Sequence, residues 1–167
     1  KPDEMPNLTK DEEVEIGEHT DEDETKTEVL LECINITSMM TNQEALMARS
    51  ADITLFQEHK LSQAEIINAV KVFSEHGYSI HCSKADSGSK KLNAGVGLSL
   101  NGGMTATRVP FKETNLKRLD HGGRLQKYIL HLGWEKDLAI FVIYGKSGDS
   151  KEAKIHNEAL MEQLDEH

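Results

Sequence analysis

The chain has 167 residues, 37% hydrophobic and 29% charged, with a formal net charge of −10; that is enough for one domain with a real core and too short for a two-domain enzyme. The charge looks hostile to nucleic acid, but residues 1–28 hold twelve acidic and three basic side chains, a balance of −9, and the remaining 139 are close to neutral at −1, so the acidity says little about a site in the body. No stretch approaches the roughly 20 apolar residues of a membrane span, and no basic-then-apolar signal opens the chain, which predicts an intracellular protein, nuclear or cytoplasmic, with no membrane partner.

The leader, residues 1–28, has few large apolar side chains and no sustained periodicity, so it is expected to be a disordered acidic segment. A single domain over 29–167 follows. Glu28 to Thr37, EVLLECINIT, reads as a first strand ending near Asn35. Thr41-Asn42-Gln43-Glu44 has the capping-box pattern and predicts a short helix to about Ser50. ADITLFQEHKL, Ala51 to Leu61, is an apolar strand that breaks off into an amide, a carboxylate, an imidazole and an ammonium. Ser62-Gln63-Ala64-Glu65 is a second capping box, opening a helix with Ile66, Ile67, Val70 and Phe73 as its apolar face and Gly77 as its stop.

YSIHCS is then a strand, KADSGSKKLN a polar loop, and AGVGLSL a strand whose glycines admit another backbone. MTATRVP and QKYILHLGW alternate as strands do, and LAIFVIYG is a continuous apolar run typical of a central strand covered on both faces. From Lys151 a helix is expected with Ile155, Ala159, Leu160 and Leu164 on one side, running to the last residues without a Gly or Pro exit, so that both chain ends look cut. Cys33 and Cys82 fall inside strands and read as buried thiols. This order, β-α-β-α and then successive strands and a last helix, predicts an α/β sandwich instead of a uniform βαβ series.

Two apparent motifs lead nowhere. Gly145-Lys146-Ser147 resembles the end of a phosphate-binding loop, but the pattern needs a glycine where Ile140 stands. Eight histidines and two cysteines occur without H-E-x-x-H, C-x-x-C or H-x-H spacing, so a zinc site would have to converge from distant segments. A carboxylate just past a strand, such as Glu58, is ordinarily a solvated strand end. Asn35 changes its meaning: a short β-α-β connection makes the two strands parallel neighbours, and both side chains then emerge at one edge of the sheet. An amide oxygen beside a carboxylate is a hard-oxygen corner suited to Mg²⁺, which keeps several waters and takes one or two protein carboxylates.

INITSMMTNQEALMARSADITLFQEHKL, GYSIHCS, NAGVGLSL, GGRLQKYILHL and IFVIYGKSGDSKEAKIHNEALMEQL together resemble the endonuclease/exonuclease/phosphatase superfamily, and within it the retroelement-type endonuclease domains related to AP endonucleases. The resemblance runs from about residue 29 to the end, and the Asn with the Q-E pair is its most specific part. It implies a four-layer α/β sandwich, two packed sheets flanked by helices, here incomplete. It also implies a Mg²⁺ site, with Mn²⁺ as a substitute, at Asn35 and Glu58, a catalytic role for Glu58 and Tyr144, and a substrate-phosphate contact at Arg124. The plain alternatives are a strand-end tyrosine packed over the sheet and a solvated loop arginine. Val142 departs from the family, where Asn is common at that place.

Family members continue with a strand carrying G-D-x-N and end with an S-D-H-like motif, which supply an Asp that aligns water and a His that contacts the phosphate. Neither occurs here, and Gly148-Asp149-Ser150-Lys151 lacks the Asn. The chain is therefore expected to be the N-terminal portion of such a domain and to hydrolyse phosphodiesters poorly or not at all alone. Three function classes follow: a Mg²⁺-dependent nuclease acting on nucleic acid, DNA ahead of RNA; a non-catalytic binding or regulatory module derived from the family; and a phosphoesterase for inositol or other small phosphates. Self-association through an exposed sheet face is a further expectation.

Overall fold

The computed structural model describes residues 28–86, 92–133, 136–146 and 148–165. The acidic leader up to residue 27 and the middle of the polar loop, 87–91, lie outside the described residues. In chain order the elements are β1 (Leu31–Asn35), α1 (Met39–Met47), β2 (Ile53–Gln57), α2 (Gln63–Glu75), β3 (Ser79–Cys82), β4 (Val96–Leu100), β5 (Thr105–Val109), α3 (Thr114–His121), β6 (Leu125–His131), β7 (Leu138–Ile143) and α4 (Lys151–Asp165).

Four layers result. One sheet has the order β1-β2-β4-β3 and the other β5-β6-β7. α1 and α2 cover the outer face of the first through Met39, Leu46, Ile66 and Phe73, packed on Phe56 and Ile80. The two sheets meet over Ile53, Leu55, Val96, Leu98, Tyr128 and Ile140. Leu116 of α3 and Leu160 of α4 cover the outer face of the second sheet at Leu125, Phe141 and Ile143. β1 and β2 are parallel with Asn35 opposite Gln57, as the short connection predicts, and β2 and β4 are antiparallel with Gln57 opposite Val96. Asn35, Gln57 and the start of β4 thus share one rim of the sheet.

Several local expectations need correction. α1 begins at Met39 with Ser38 as N-cap and no side-chain capping bond, so the Thr41 capping box does not form. The reason is that the chain turns earlier, at Thr37, and Met39 N–H is already held by the His59 carbonyl at 3.0 Å. On α2 the Ser62 box forms in both directions, yet the buried stripe is Ile66, Ala69 and Phe73, leaving Ile67 and Val70 exposed. Spacing alone could not tell a narrow stripe containing alanine from a wider one of β-branched residues. Ile155 of α4 is exposed as well, with Ala153 and Leu160 buried.

β7 is an edge strand among the described residues, not a central one, although its Ile140 and Val142 enter the inter-sheet core and its Phe141 and Ile143 meet the helices. α3 has no counterpart in the periodicity reading because its two apolar contacts, Leu116 and Leu119, sit in a strongly charged segment. Cys82 is packed against the helix-side core, whereas Cys33 is exposed on the inner face of β1. β7 packs chiefly over β2 and β4.

Candidate functional site

The ends of β1 and β2 and the entry to β4 form a strained rim. Among the described residues, the non-glycine residues with positive φ are Thr37, Glu58, Lys60 and Ala94, all between +55° and +58°. Every one of them lies at this rim. Left-handed backbone costs an L-residue about 1 kcal/mol or more, and persists where surrounding contacts impose it. Those contacts are visible: Ile36 N–H donates to the Gln57 carbonyl at 3.0 Å, Lys60 N–H to the Ala94 carbonyl at 3.2 Å, and Gly95 N–H to the Gly123 carbonyl at 2.9 Å.

Alternating handedness over residues 58–60 sends His59 inward while Glu58 and Lys60 stay at the surface. The His59 ring is fully buried, edge-on to Phe56, and its Nδ1 accepts the Leu61 N–H at 3.0 Å. Gly95 lies against that ring. A Cβ on Gly95 would come within 2.6 Å of the imidazole, so glycine is required there for room as well as for its φ of +93°.

Glu58 is the focus of the rim. Its Oε1 accepts the Tyr144 hydroxyl in a short hydrogen bond, and its Oε2 lies 3.7 Å from Lys60 Nζ. The Tyr144 hydroxyl, opposed by partial burial and aided by the Asn35 amide and then Lys60, holds the Glu58 carboxyl below the usual carboxylate range, so it is ionised at neutral pH. Asn35 Oδ1 accepts the Thr37 N–H at 3.0 Å, which leaves the amide NH₂ toward Glu58 and one lone pair on the oxygen.

Tyr144 reaches Glu58 because the sheets are tied at this end: Gln57 Nε2 donates to the Ile143 carbonyl at 3.0 Å, and Tyr144 N–H to the Arg124 carbonyl at 2.8 Å. Arg124 stacks on the Tyr144 ring, 5.3 Å from its centroid, and donates to the Gly145 carbonyl at 3.1 Å. The structure therefore brings Asn35, Glu58, Tyr144 and Arg124 into one chain of contacts from three strands and a loop. Sequence reasoning assigned no role to Gln57, His59 or Gly95. The signal for Gln57 was its place beside Glu58 at a strand end, whereas nothing in the spacing announced the packing of His59 on Gly95. Val142 is buried between the sheets.

Among the described residues no group of three or more His, Cys, Asp or Glu could hold a metal. A zinc-type site is not offered. One ionised carboxylate near an amide oxygen offers hard-oxygen donors of the type that a cation keeping most of its water could use.

Similar solved structures include the following three. An AP endonuclease from Leishmania major is 17% identical with a TM-score of 0.51, over 75% of this chain and 42% of that one. A 3′-5′ exonuclease from Neisseria meningitidis is 18% identical with a TM-score of 0.51, over 77% and 47%. A 3′ phosphatase from Neisseria bound to a product DNA hairpin is 18% identical with a TM-score of 0.52, over 78% and 48%. The chain has the endonuclease/exonuclease/phosphatase fold. It spans less than half the length of each of these structures. No protein-family model matches it, and no curated protein does. No described helix is long and apolar enough to cross a membrane.

Proposed function

We propose that the rim around Glu58 is the metal-holding part of a Mg²⁺-dependent phosphodiester-hydrolysing site of the retroelement-type endonuclease kind, with DNA as its substrate and Mn²⁺ able to replace Mg²⁺. The observation that carries this reading is the convergence of Asn35, Glu58 and Tyr144 on one rim where non-glycine backbone is held left-handed. Left-handed residues gathered at one edge are a mark of a site whose geometry is maintained against local preference. The fold shared with an AP endonuclease and a 3′-5′ exonuclease supports it.

Glu58 and Asn35 would hold the divalent cation, and the chemistry it would supply there is Lewis-acid polarisation of the phosphoryl oxygens and charge for the departing alkoxide. Glu58 offers the ionised carboxylate and Asn35 its remaining oxygen lone pair. Tyr144 fixes the rotamer of Glu58 and keeps it unprotonated. Arg124, stacked on that ring, brings positive charge to where a scissile phosphate would lie. G-D-x-N and S-D-H motifs are absent from the 167 residues, so hydrolysis by this chain alone should be slow.

Mn²⁺ binding followed by electron paramagnetic resonance, with supercoiled-plasmid nicking in Mg²⁺ and in chelator, tests the reading. Glu58→Gln should weaken Mn²⁺ binding at least tenfold, and Tyr144→Phe should retain most of the binding but lower any nicking. Equal Mn²⁺ affinity in Glu58→Gln would sink the proposal and leave the non-catalytic module. Turnover of a small phosphomonoester without plasmid nicking would instead favour the small-phosphate esterase.

We further propose that the open edge of β7 and the bare inner face of β1, where Leu31 is 44% exposed, pair with a second copy of the chain.

A further inference from the structure

A cleft of about 340 Å³ is lined by residues of α3 and α4 and by Arg124. Arg118 and Asn115 of α3, Arg124, His156 of α4 and one carboxylate, Asp86, line it. Among the described residues Arg118 forms no ion pair. His156, on the wall of the cleft, has its Nε2 buried with no hydrogen-bond partner among the described residues, an arrangement that costs free energy. Burial, and after it the positive charges of Lys146 and Arg124, lower the His156 pKa. The cleft is therefore cationic, with an imidazole waiting for an acceptor.

The walls are also fixed in place. Asn157, next to His156, accepts the Lys146 N–H at 2.9 Å and donates to the Lys146 carbonyl at 3.1 Å. Gly145 fits under it only because it has no side chain: a Cβ would lie 2.7 Å from Asn157 Oδ1. α4 is thus clamped to the segment that leaves Tyr144, and Arg124 spans from that segment into the cleft.

We propose that this cleft is a phosphate-binding subsite in which Arg118, Arg124 and His156 hold a backbone phosphate of the nucleic-acid strand lying on the Glu58 rim. The assignment of the phosphate to a strand rests on the function proposed above; the chemistry of the subsite, two guanidinium groups and an imidazole around one phosphate, does not. Arg118 supplies a planar fork, Arg124 the donors not used on the Tyr144 and Gly145 carbonyls, and His156 Nε2 the remaining bond.

The test uses the full chain and the His156 ring resonance in proton NMR, identified by its loss in His156→Gln. Two probes are added separately: inorganic phosphate, and a fluorescein-labelled twelve-nucleotide DNA strand. Phosphate should move the resonance and raise the His156 pKa, and Arg118→Glu should abolish both changes. The DNA strand should do the same, its affinity falling about tenfold in Arg118→Glu and the slope of its salt dependence by about 1. Arg118 is exposed on α3, so the variant is expected to fold, with unchanged far-ultraviolet circular dichroism as the check and Arg118→Gln as a milder second variant.

Movement with phosphate but not with DNA keeps the subsite and assigns it to a small phosphate. No movement with either probe, or equal movement in wild type and Arg118→Glu, overturns the proposal. Mn²⁺ binding at Glu58 separates the two ideas, because Arg118→Glu should leave it intact whatever the cleft does.

Discussion

His59 is fully buried, yet it belongs to a residue type that titrates near neutrality. Burial lowers its pKa from 6.5 to about 4, because a charged imidazole there would lose hydration and Nδ1 could no longer accept the Leu61 N–H. An unfolded chain takes up this proton below pH 6.5 and the folded one only below about 4. Stability from His59 is therefore complete above 6.5 and lost as pH falls toward 4, by an amount on the order of 3 kcal/mol. His81 and His156 are also lowered by burial and act in the same direction. Urea midpoints measured from pH 7 to 4.5 on wild type and His59→Gln isolate the His59 share: the wild-type fall should be the steeper, and parallel curves would refute the assignment. The two thiols offer a second residue-scale outcome. Cys33 is exposed and Cys82 is pushed up to about 12 by burial, so a disulfide reagent on the native chain should modify one thiol quickly and the second only on unfolding.

Elements differ in how far their own residues determine them. Ser62→Ala removes the Oγ that accepts the Glu65 N–H, the side-chain half of a formed capping box at the start of α2, and should lower stability by about 1 kcal/mol in urea denaturation. Gly95→Ala should cost more, about 3 kcal/mol, from an unfavourable φ and from overpacking against His59 together. Because His59 sits between Glu58 and Lys60, the same change should weaken Mn²⁺ binding, which Ser62→Ala should leave alone. The contrast shows what the sequence carried. The Ser62 box, the parallel β1-α1-β2 unit and the meeting of Asn35 with Glu58 were readable because each depends on residues near one another in the chain or on a strict two-strand register. α3 and the edge position of β7 were not. α3 owes its burial to Leu116 and Leu119 meeting α4 and β6, partners that periodicity within the segment cannot reveal. Tyr144 reached Glu58 through a Gln57 bond across the two sheets, 86 residues apart; the family resemblance pointed to that meeting, and spacing alone did not.

For the whole molecule, the uneven covering of its layers decides its behaviour in solution. Among the described residues the first sheet has four strands and the second three, and the second lies over β2 and β4. Among the described residues β1 leaves Leu31 and Cys33 exposed, while β7 ends the second sheet as an edge strand with Leu138 at 41% exposure. An apolar face beside an edge strand favours strand addition, and under the self-association proposed above a second copy would bring the same edge in the opposite direction, so that two β7 strands would pair antiparallel about a two-fold axis. Each copy would then extend its sheet over the partner's bare β1 face. Light scattering across a concentration series should show a mass rising from monomer toward dimer. Leu138→Lys, which puts a charge on the pairing edge without touching the Glu58 rim, should hold the chain monomeric and leave Mn²⁺ binding unchanged. A monomer at every concentration in the wild type would mean that this edge is protected in solution, and the pairing would have to be abandoned.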